Sequence, residues 1–203
     1  MKHYTVIFFA GLLFVSGACK NHSQSSDPAG NAPTSNAATN TYFPIADILQ
    51  SEIRHIDTSV LAILQCETIH QRTDTTFLTP NEFNRAAAIF LTRELIPDSL
   101  EKNYKESSFN DKTTGYLTFT YSPRDKGQSL QRVDVLVAQG NDGNNKVKSI
   151  YMERSSHEAD TLVFKKMYWQ MGHSFLVVTN LQPKGRTVET RQLKVIWNEE
   201  GTD

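Results

Sequence analysis

The stretch that decides the fold class is YLTFTYSPRDKGQSLQRVDVLVA, residues 116–138. Apolar and polar side chains alternate through both of its halves, with the apolar positions at Leu117, Phe119 and Tyr121 and at Val133, Val135 and Val137. Alternation with a period of two is typical of strands that bury one face. Pro123 and Gly127 interrupt the pattern and indicate a turn. The stretch therefore predicts two antiparallel strands joined by a short connection.

The same pattern continues toward the C-terminus. Further strands are predicted at residues 147–154, 161–169, 174–181 and 188–197, and the turn-rich segment 140–145 precedes the first of them. Consecutive strands joined by short polar turns usually pair as an antiparallel meander.

Helical spacing dominates the region before this meander. Pro44 suits a first helical position, and the isoleucines and leucine that follow share one face: Ile45, Ile48, Leu49, Ile53 and Ile56. Thr79 and Glu82 have the spacing of a capping box, and they open a second apolar stripe that ends before Pro97: Phe83, Ala86, Ala87, Phe90 and Leu91. Residues 59–78 between the two helices could form two short strands joined by a turn.

The predicted architecture is α+β. We expect N-terminal helices packed on a curved antiparallel sheet of five or six meander strands, all within a single globular domain at residues 42–203. A chain of this length can bury a substantial apolar core.

The first 18 residues have the pattern of a secretory signal peptide. Lys2 supplies the positive start, residues 4–15 are mostly apolar, and small residues follow at 16–18. The apolar run is shorter than the roughly 20 residues that an α-helix needs to cross a bilayer. We therefore expect cleavage rather than a membrane span.

The residues Ser16-Gly17-Ala18-Cys19 resemble the lipobox of bacterial lipoproteins, in which small residues precede a cysteine that receives a diacylglycerol thioether. The resemblance implies that Cys19 is the lipidation site. It departs from the family pattern at Ser16, where an aliphatic residue is usual. Ser16 and Ala18 also satisfy the small-x-small rule of the ordinary secretory peptidase, so cleavage without lipid is the alternative.

Residues 19–41 are predicted to form a disordered tether behind the anchor. From Lys20 to residue 41 there is no Val, Ile, Leu, Met or aromatic side chain, so the segment has little apolar surface to bury. If Cys19 carries lipid, Cys66 has no second cysteine to pair with. The apolar stretch around Cys66 then indicates that it is a small core residue. Without lipid, Cys19 and Cys66 could form a disulfide in an oxidising compartment.

The chain as a whole is similar to uncharacterised small lipoproteins of Bacteroidetes-type bacteria. The similarity rests on the lipobox, the tether, the capped helix and the Thr-x-Thr-Tyr and Val-x-Val strands. It implies a place in the cell envelope and no particular activity. Because Lys20, and not an acidic residue, follows the cysteine, the resemblance to lipoprotein sorting in Gram-negative cells implies the outer membrane. The formal net charge of −1 gives no electrostatic reason to expect nucleic-acid binding.

Catalytic motifs are weak in this sequence. Gly172-His173-Ser174 lacks the second glycine of a nucleophile elbow, so His173 is expected in a turn between strands. Cys66 and His70 could form a nucleophile pair only if the fold brought them together. No catalytic or cofactor-binding residue is predicted.

Metal-ligand spacings are also absent. The nearest approach to a cluster is His55, Asp57, His70 and Asp74, which matches none of the strong zinc patterns. Residues 141–145 are rich in oxygen donors but lack the spacing of an EF-hand, so a hairpin turn is expected there. We predict no metal site.

The segment 161–169 is apolar on both faces. Val163, Met167 and Trp169 share one face, while Leu162, Phe164 and Tyr168 share the other. A central strand covered on both sides is the favoured interpretation, and an exposed aromatic surface for a protein or lipid ligand is the alternative.

These features together predict a non-catalytic binding or interaction module, anchored to a membrane through the lipid on Cys19. The alternatives are an envelope hydrolase that uses histidine and carboxylate side chains, and a structural periplasmic subunit. The histidines separate a binding module from an enzyme. If His55, His70, His157 and His173 are scattered over the surface, an enzyme is excluded, whereas two or more of them meeting acidic side chains in one cleft would favour an enzyme.

Overall fold

The computed structural model describes residues 42–59, 61–140 and 144–198. The predicted signal peptide, Cys19 and the tether lie outside these residues, as does most of the predicted turn at 141–145.

Three α-helices occur within the described residues: α1 at Ile45–Asp57, α2 at Pro80–Ala87 and α3 at Pro97–Asn103. Helix α1 begins directly after Pro44 and buries Ile45, Leu49, Ile53 and Ile56. A 3₁₀ turn at Ala88–Phe90 follows α2 directly. Pro97, expected only to end the second helix, is instead the first residue of α3, where a proline costs no hydrogen bond.

The capping box at the start of α2 is confirmed. The Thr79 hydroxyl accepts a hydrogen bond from the Glu82 N–H at 3.4 Å, and Glu82 Oε2 accepts one from the Thr79 N–H at 2.8 Å. These two bonds satisfy amide groups that a helix start otherwise leaves without partners.

Nine strands make up one antiparallel sheet within the described residues. Their bounds are β1 Ile63–Ile69, β2 Arg72–Leu78, β3 Tyr104–Asp111, β4 Tyr116–Pro123, β5 Leu130–Ala138, β6 Lys146–Glu158, β7 Thr161–Gln170, β8 Ser174–Pro183 and β9 Glu189–Ile196. Their order is β2-β1-β9-β8-β7-β6-β5-β4-β3. Strands β3 to β9 form a continuous meander, and the β1–β2 hairpin joins it through antiparallel pairing of β1 with β9.

The predicted α+β fold, with helices packed on a sheet of five or six strands, is therefore wrong. The chain forms mainly a single nine-stranded antiparallel sheet with three short helices. The six predicted strands correspond to β4–β9. Strand β3 was missed because it is an edge strand whose residues from Lys105 to Asn110 are all exposed, so no apolar alternation marks it. The composition of residues 59–78 indicates the β1–β2 hairpin, but the pairing of β1 with β9 joins residues more than a hundred positions apart and leaves no local pattern.

The core lies on one side of the sheet, which we call the inner face. Phe83 of α2 lies with its ring centroid 6.5 Å from Trp169 of β7 and 5.5 Å from Trp197. Phe90 lies 5.0 Å from Trp169 and 5.3 Å from Phe175 of β8. The small residue Ala87 is fully buried between these phenylalanines in sequence, which lets the helix approach the strands closely.

The opposite side of the sheet is the outer face. On β7 it carries Leu162 and Phe164, which are half-buried, and Lys166 and Tyr168, which are exposed. Tyr168 keeps 38% of its surface, so the described chain leaves this face of β7 partly open to solvent. Strand β7 is central but fully covered on its inner face only, which differs from the favoured expectation of cover on both faces. Separately, no helix among the described residues is both long enough and apolar enough to span a membrane.

Candidate functional site

The sequence singled out its histidines, and the structure brings only some of them together. His55 of α1 and His173 of the β7–β8 turn line one cleft of about 640 Å³. Glu52 lines the same cleft, together with apolar side chains that include Ile48 and Met171. His70 lies in the β1–β2 turn and His157 in β6, and neither borders this cleft.

The carboxylate of Glu52 in this cleft accepts a hydrogen bond from the backbone. Glu52 Oε1 accepts a hydrogen bond from the Gly172 N–H at 2.6 Å, which ties α1 to the β7–β8 turn. Gly172 has φ +79°, a left-handed conformation that glycine adopts without steric cost. His173 therefore lies in a hairpin turn, as predicted, and Ser174 begins β8, so this segment is not the strand-to-helix elbow of a serine hydrolase. No Ser, Thr or Cys is among the described residues that line the cleft.

Of the candidate metal ligands, His70 and Asp74 line one cavity with Arg72, whose Nε lies 3.5 Å from Asp74 Oδ1, whereas His55 lines the cleft described above. Cys66 is a free thiol, half-buried in β1, with the Thr75 hydroxyl 3.8 Å from its sulfur. His70 has φ +49°, as expected for a residue of a tight hairpin turn. Within the part of the chain that the structure describes, no group of three or more His, Cys, Asp and Glu side chains could hold a metal ion.

A second cavity lies on the inner face where the helices no longer cover the sheet. It has a volume of about 280 Å³ and is bounded by β7, β8 and β9, with Ile89 of the 3₁₀ turn over it. Val163 and Val177, which are 3% and 4% exposed, contribute buried apolar surface. Leu181 and Leu193 add further apolar surface to its walls. We call this cavity the inner-face pocket.

One cross-strand row places charge in the inner-face pocket. Lys165 of β7 is paired in register with Thr179 of β8, and Thr179 is paired with Arg191 of β9. Neighbouring strands lie about 4.8 Å apart, so Lys165 and Arg191 are separated by roughly 10 Å with Thr179 between them. Lys165 is half-buried and lies on the inner face between Val163 and Met167, which are buried.

The acidic side chains of the inner-face pocket lie at its edge. Glu67 and Glu158 line it and are exposed to solvent. Arg191 Nε donates to Glu189 Oε1 at 2.7 Å. Lys165 has no ion pair with any carboxylate among the described residues.

Arg154 of β6 continues the same row beyond Lys165, and it is neutralised locally. Its Nη2 donates to Ser129 Oγ at 3.1 Å and lies 3.6 Å from Glu94 Oε1, and the Ser129 hydroxyl donates to Glu94. Partial burial acts to raise the pKa of Glu94, but hydrogen bonds to its carboxylate, of which the one from Ser129 has the largest effect, outweigh burial together with a smaller effect of the Arg154 charge and hold that pKa below its ordinary value. Burial, with a contribution from Glu94, raises the pKa of Tyr104 to about 12.

The residues of this pocket were not identified from the sequence. Lys165, Thr179 and Arg191 are 14 and 12 positions apart, and only the register of three strands places them side by side. The one available signal was the lysine at position 165, an inner-face position between apolar residues of a predicted strand.

Comparison of the chain with protein-family models, with curated proteins and with solved structures found no significant match.

Proposed function

We propose that this protein is a lipid-anchored envelope protein whose domain binds a small molecule with an apolar tail and does not catalyse a reaction. The observation that carries the proposal is the inner-face pocket, in which buried apolar side chains surround a half-buried lysine. Sites for small molecules commonly combine apolar walls with a few polar groups that fix the ligand's orientation.

The apolar surface of the pocket supports binding by the hydrophobic effect. Val163 is buried, yet it stands outside the main cluster of core residues that the helices cover. A ligand over Ile89, Leu181 and Leu193, which line the pocket and keep part of their surface exposed, would remove further apolar surface from water, at about 25 cal/mol per Å². The volume of about 280 Å³ is close to the lower end of the range for ligand sites, which favours a small or single-chain ligand.

The proposed location in the cell envelope rests on the N-terminal sequence. Lipid on Cys19 would hold the domain at the outer membrane, with residues 20–41 as the tether. A flexible chain of this length extends on the order of 25 Å, so the domain could reach ligands at or near the bilayer surface. The exposed Tyr168 and its outer-face neighbours stay a predicted contact surface for a protein or lipid partner.

Native mass spectrometry of the protein released gently from membranes tests the binding function. We expect a bound small molecule at one copy per chain. Leu181→Trp should abolish that adduct because the larger side chain fills the pocket. Val178→Trp is the matched control, since Val178 lies on the same strand with its side chain toward the outer face. Absence of any adduct from the wild-type protein, or its retention in Leu181→Trp, would count against the proposal.

A hydrolase is the second candidate, and the cleft shared by Glu52, His55 and His173 favours it. An imidazole there could activate a water molecule as a general base. Hydrolysis of a panel of activated esters by the wild-type protein, lost in both His55→Ala and His173→Ala but kept in His70→Ala, would support this activity. Equal rates of ester hydrolysis in the wild-type protein and the three variants would show that the cleft is not the site of the hydrolysis.

A further inference from the structure

We infer that the inner-face pocket selects a single-chain amphiphile with an anionic head, and that the head lies over Thr179 between Lys165 and Arg191. This inference rests on the proposed binding function and specifies the chemical class of its ligand. The shared chemistry is a carboxylate or phosphate group on one apolar chain.

Lys165 is a partly buried cation on the inner face of the sheet. Its position on β7 lies between the buried residues Val163 and Met167, and the lysine itself is half-buried. No carboxylate among the described residues lies within ion-pair distance of its ammonium group. Partial burial of a charge is unfavourable unless an opposite charge or hydrogen-bond acceptors compensate it. An anionic ligand would supply that compensation.

The strand register places a cation on each side of Thr179. Lys165, Thr179 and Arg191 occupy one row across β7, β8 and β9. The two cations flank Thr179 at a separation of roughly 10 Å between backbones, so both long side chains can reach an anion above it. Arg191 uses Nε for Glu189, and its two terminal nitrogens have no partner among the described residues. A charge-assisted contact from each side would fix the head group.

The acidic groups determine whether an anion or a cation is preferred. Glu67 and Glu158 border the pocket but are exposed, so water already solvates them. Glu189 is engaged with Arg191, and Glu94 is engaged with Ser129 and Arg154. Lys165 is therefore the charged group of the pocket that is both partly buried and without an ion-pair partner in the described chain. This difference favours an anion.

The apolar walls determine the rest of the ligand. Val163 and Leu181 lie on one side of the charged row, and Val177 and Leu193 lie on the other, beneath Ile89. The volume of about 280 Å³ suits one hydrocarbon chain better than the paired chains of a whole phospholipid.

Calorimetric titration with three eight-carbon probes tests the inference. Octanoate, octanol and octylamine share one tail and differ in head charge. The protein is the secreted chain with Cys19→Ser, which carries no lipid to compete for the pocket. We expect octanoate to bind at least about tenfold more tightly than octanol, and octylamine to bind most weakly. Octyl phosphate, compared with octanoate, distinguishes a phosphate head from a carboxylate head.

Variants of one lysine separate charge recognition from folding. Lys165→Gln should weaken octanoate about tenfold and leave octanol unchanged, whereas Lys165→Arg should restore most of the octanoate affinity. Lys166→Gln is the control because this lysine is adjacent in sequence and exposed on the outer face. It should bind all the probes as the wild-type protein does.

The titrations distinguish failure of the anionic ligand class from failure of the proposed binding function. Equal affinity for octanoate and octanol, unchanged by Lys165→Gln, would overturn the anionic class but leave an apolar binding site. Preference for octylamine would assign the selectivity to Glu67 and Glu158 and would likewise overturn the inference. Binding of none of the probes would contradict the proposed function itself.

Discussion

The carboxylate of Glu94 shows how a single residue can couple this fold to pH. Hydrogen bonds to this carboxylate, chiefly the one from Ser129, hold its pKa below the ordinary value in spite of partial burial, and the nearby Arg154 adds a smaller contribution. A carboxylate with a lowered pKa in the folded state stabilises the fold above its unfolded pKa. That contribution disappears as the pH falls through the folded pKa.

Glu94→Gln should therefore destabilise the domain at pH 7 and have less effect in acid. The difference in free energy of unfolding between wild type and variant should shrink as the pH falls below about 4.5, the ordinary value for a glutamate. Urea denaturation at a series of pH values measures it. A difference that stays constant or grows on acidification would contradict the assigned network.

Thr79 is a second residue whose role is local. Its hydroxyl and the Glu82 carboxylate satisfy backbone amides at the start of α2, and this was predicted from the spacing of the two residues. We expect Thr79→Ala to lower the free energy of unfolding by about 1 kcal/mol, while Thr79→Ser should be nearly neutral. Equal stability of the alanine and serine variants, measured by urea denaturation, would show that the cap has no energetic role.

Helix α2 contributes most through one aromatic side chain, Phe83. This side chain is fully buried and contacts Trp169, Phe175 and Trp197. Phe83→Ala should lower the free energy of unfolding by about 3–5 kcal/mol because it leaves a cavity between helix and sheet.

The matched control for that substitution is Phe77→Ala in the edge strand β2. Phe77 is 71% exposed, so removing its ring should cost less than about 1 kcal/mol. Both variants are compared by urea denaturation. Similar losses of unfolding free energy in the two variants would contradict the packing of α2 against the inner face.

The elements differ in how well the sequence predicts them, and burial is the reason. Strand β5 buries Val133, Val135 and Val137 on one face, so the alternation of apolar and polar residues in its sequence predicts the strand. Strand β3 lies at the edge with almost every side chain exposed, so its sequence carries no such signal. The same reasoning applies to the site. Lys165 and Arg191 are brought together by register across three strands, and a single sequence does not encode that register in any local pattern.

On the scale of the whole molecule, the proposal joins an anchored N-terminus to a sheet with a pocket on its helix-covered side. Cys19→Ser should move the protein from the membrane fraction to the soluble fraction of the envelope, because the variant lacks the thiol that would carry the proposed lipid. Intact-mass measurement of the wild-type mature chain should show a start at Cys19 with added diacylglycerol. A mature chain without that mass would contradict the anchor and make a disulfide between Cys19 and Cys66 worth testing.

The measurement that tests the central claim most directly is an amide NMR titration of the Cys19→Ser chain with octanoate. The account predicts saturable shift changes centred on β7, β8 and β9 around Val163, Thr179 and Leu193. Changes confined to the cleft lined by His55 and His173, or to the outer face around Tyr168, would contradict it.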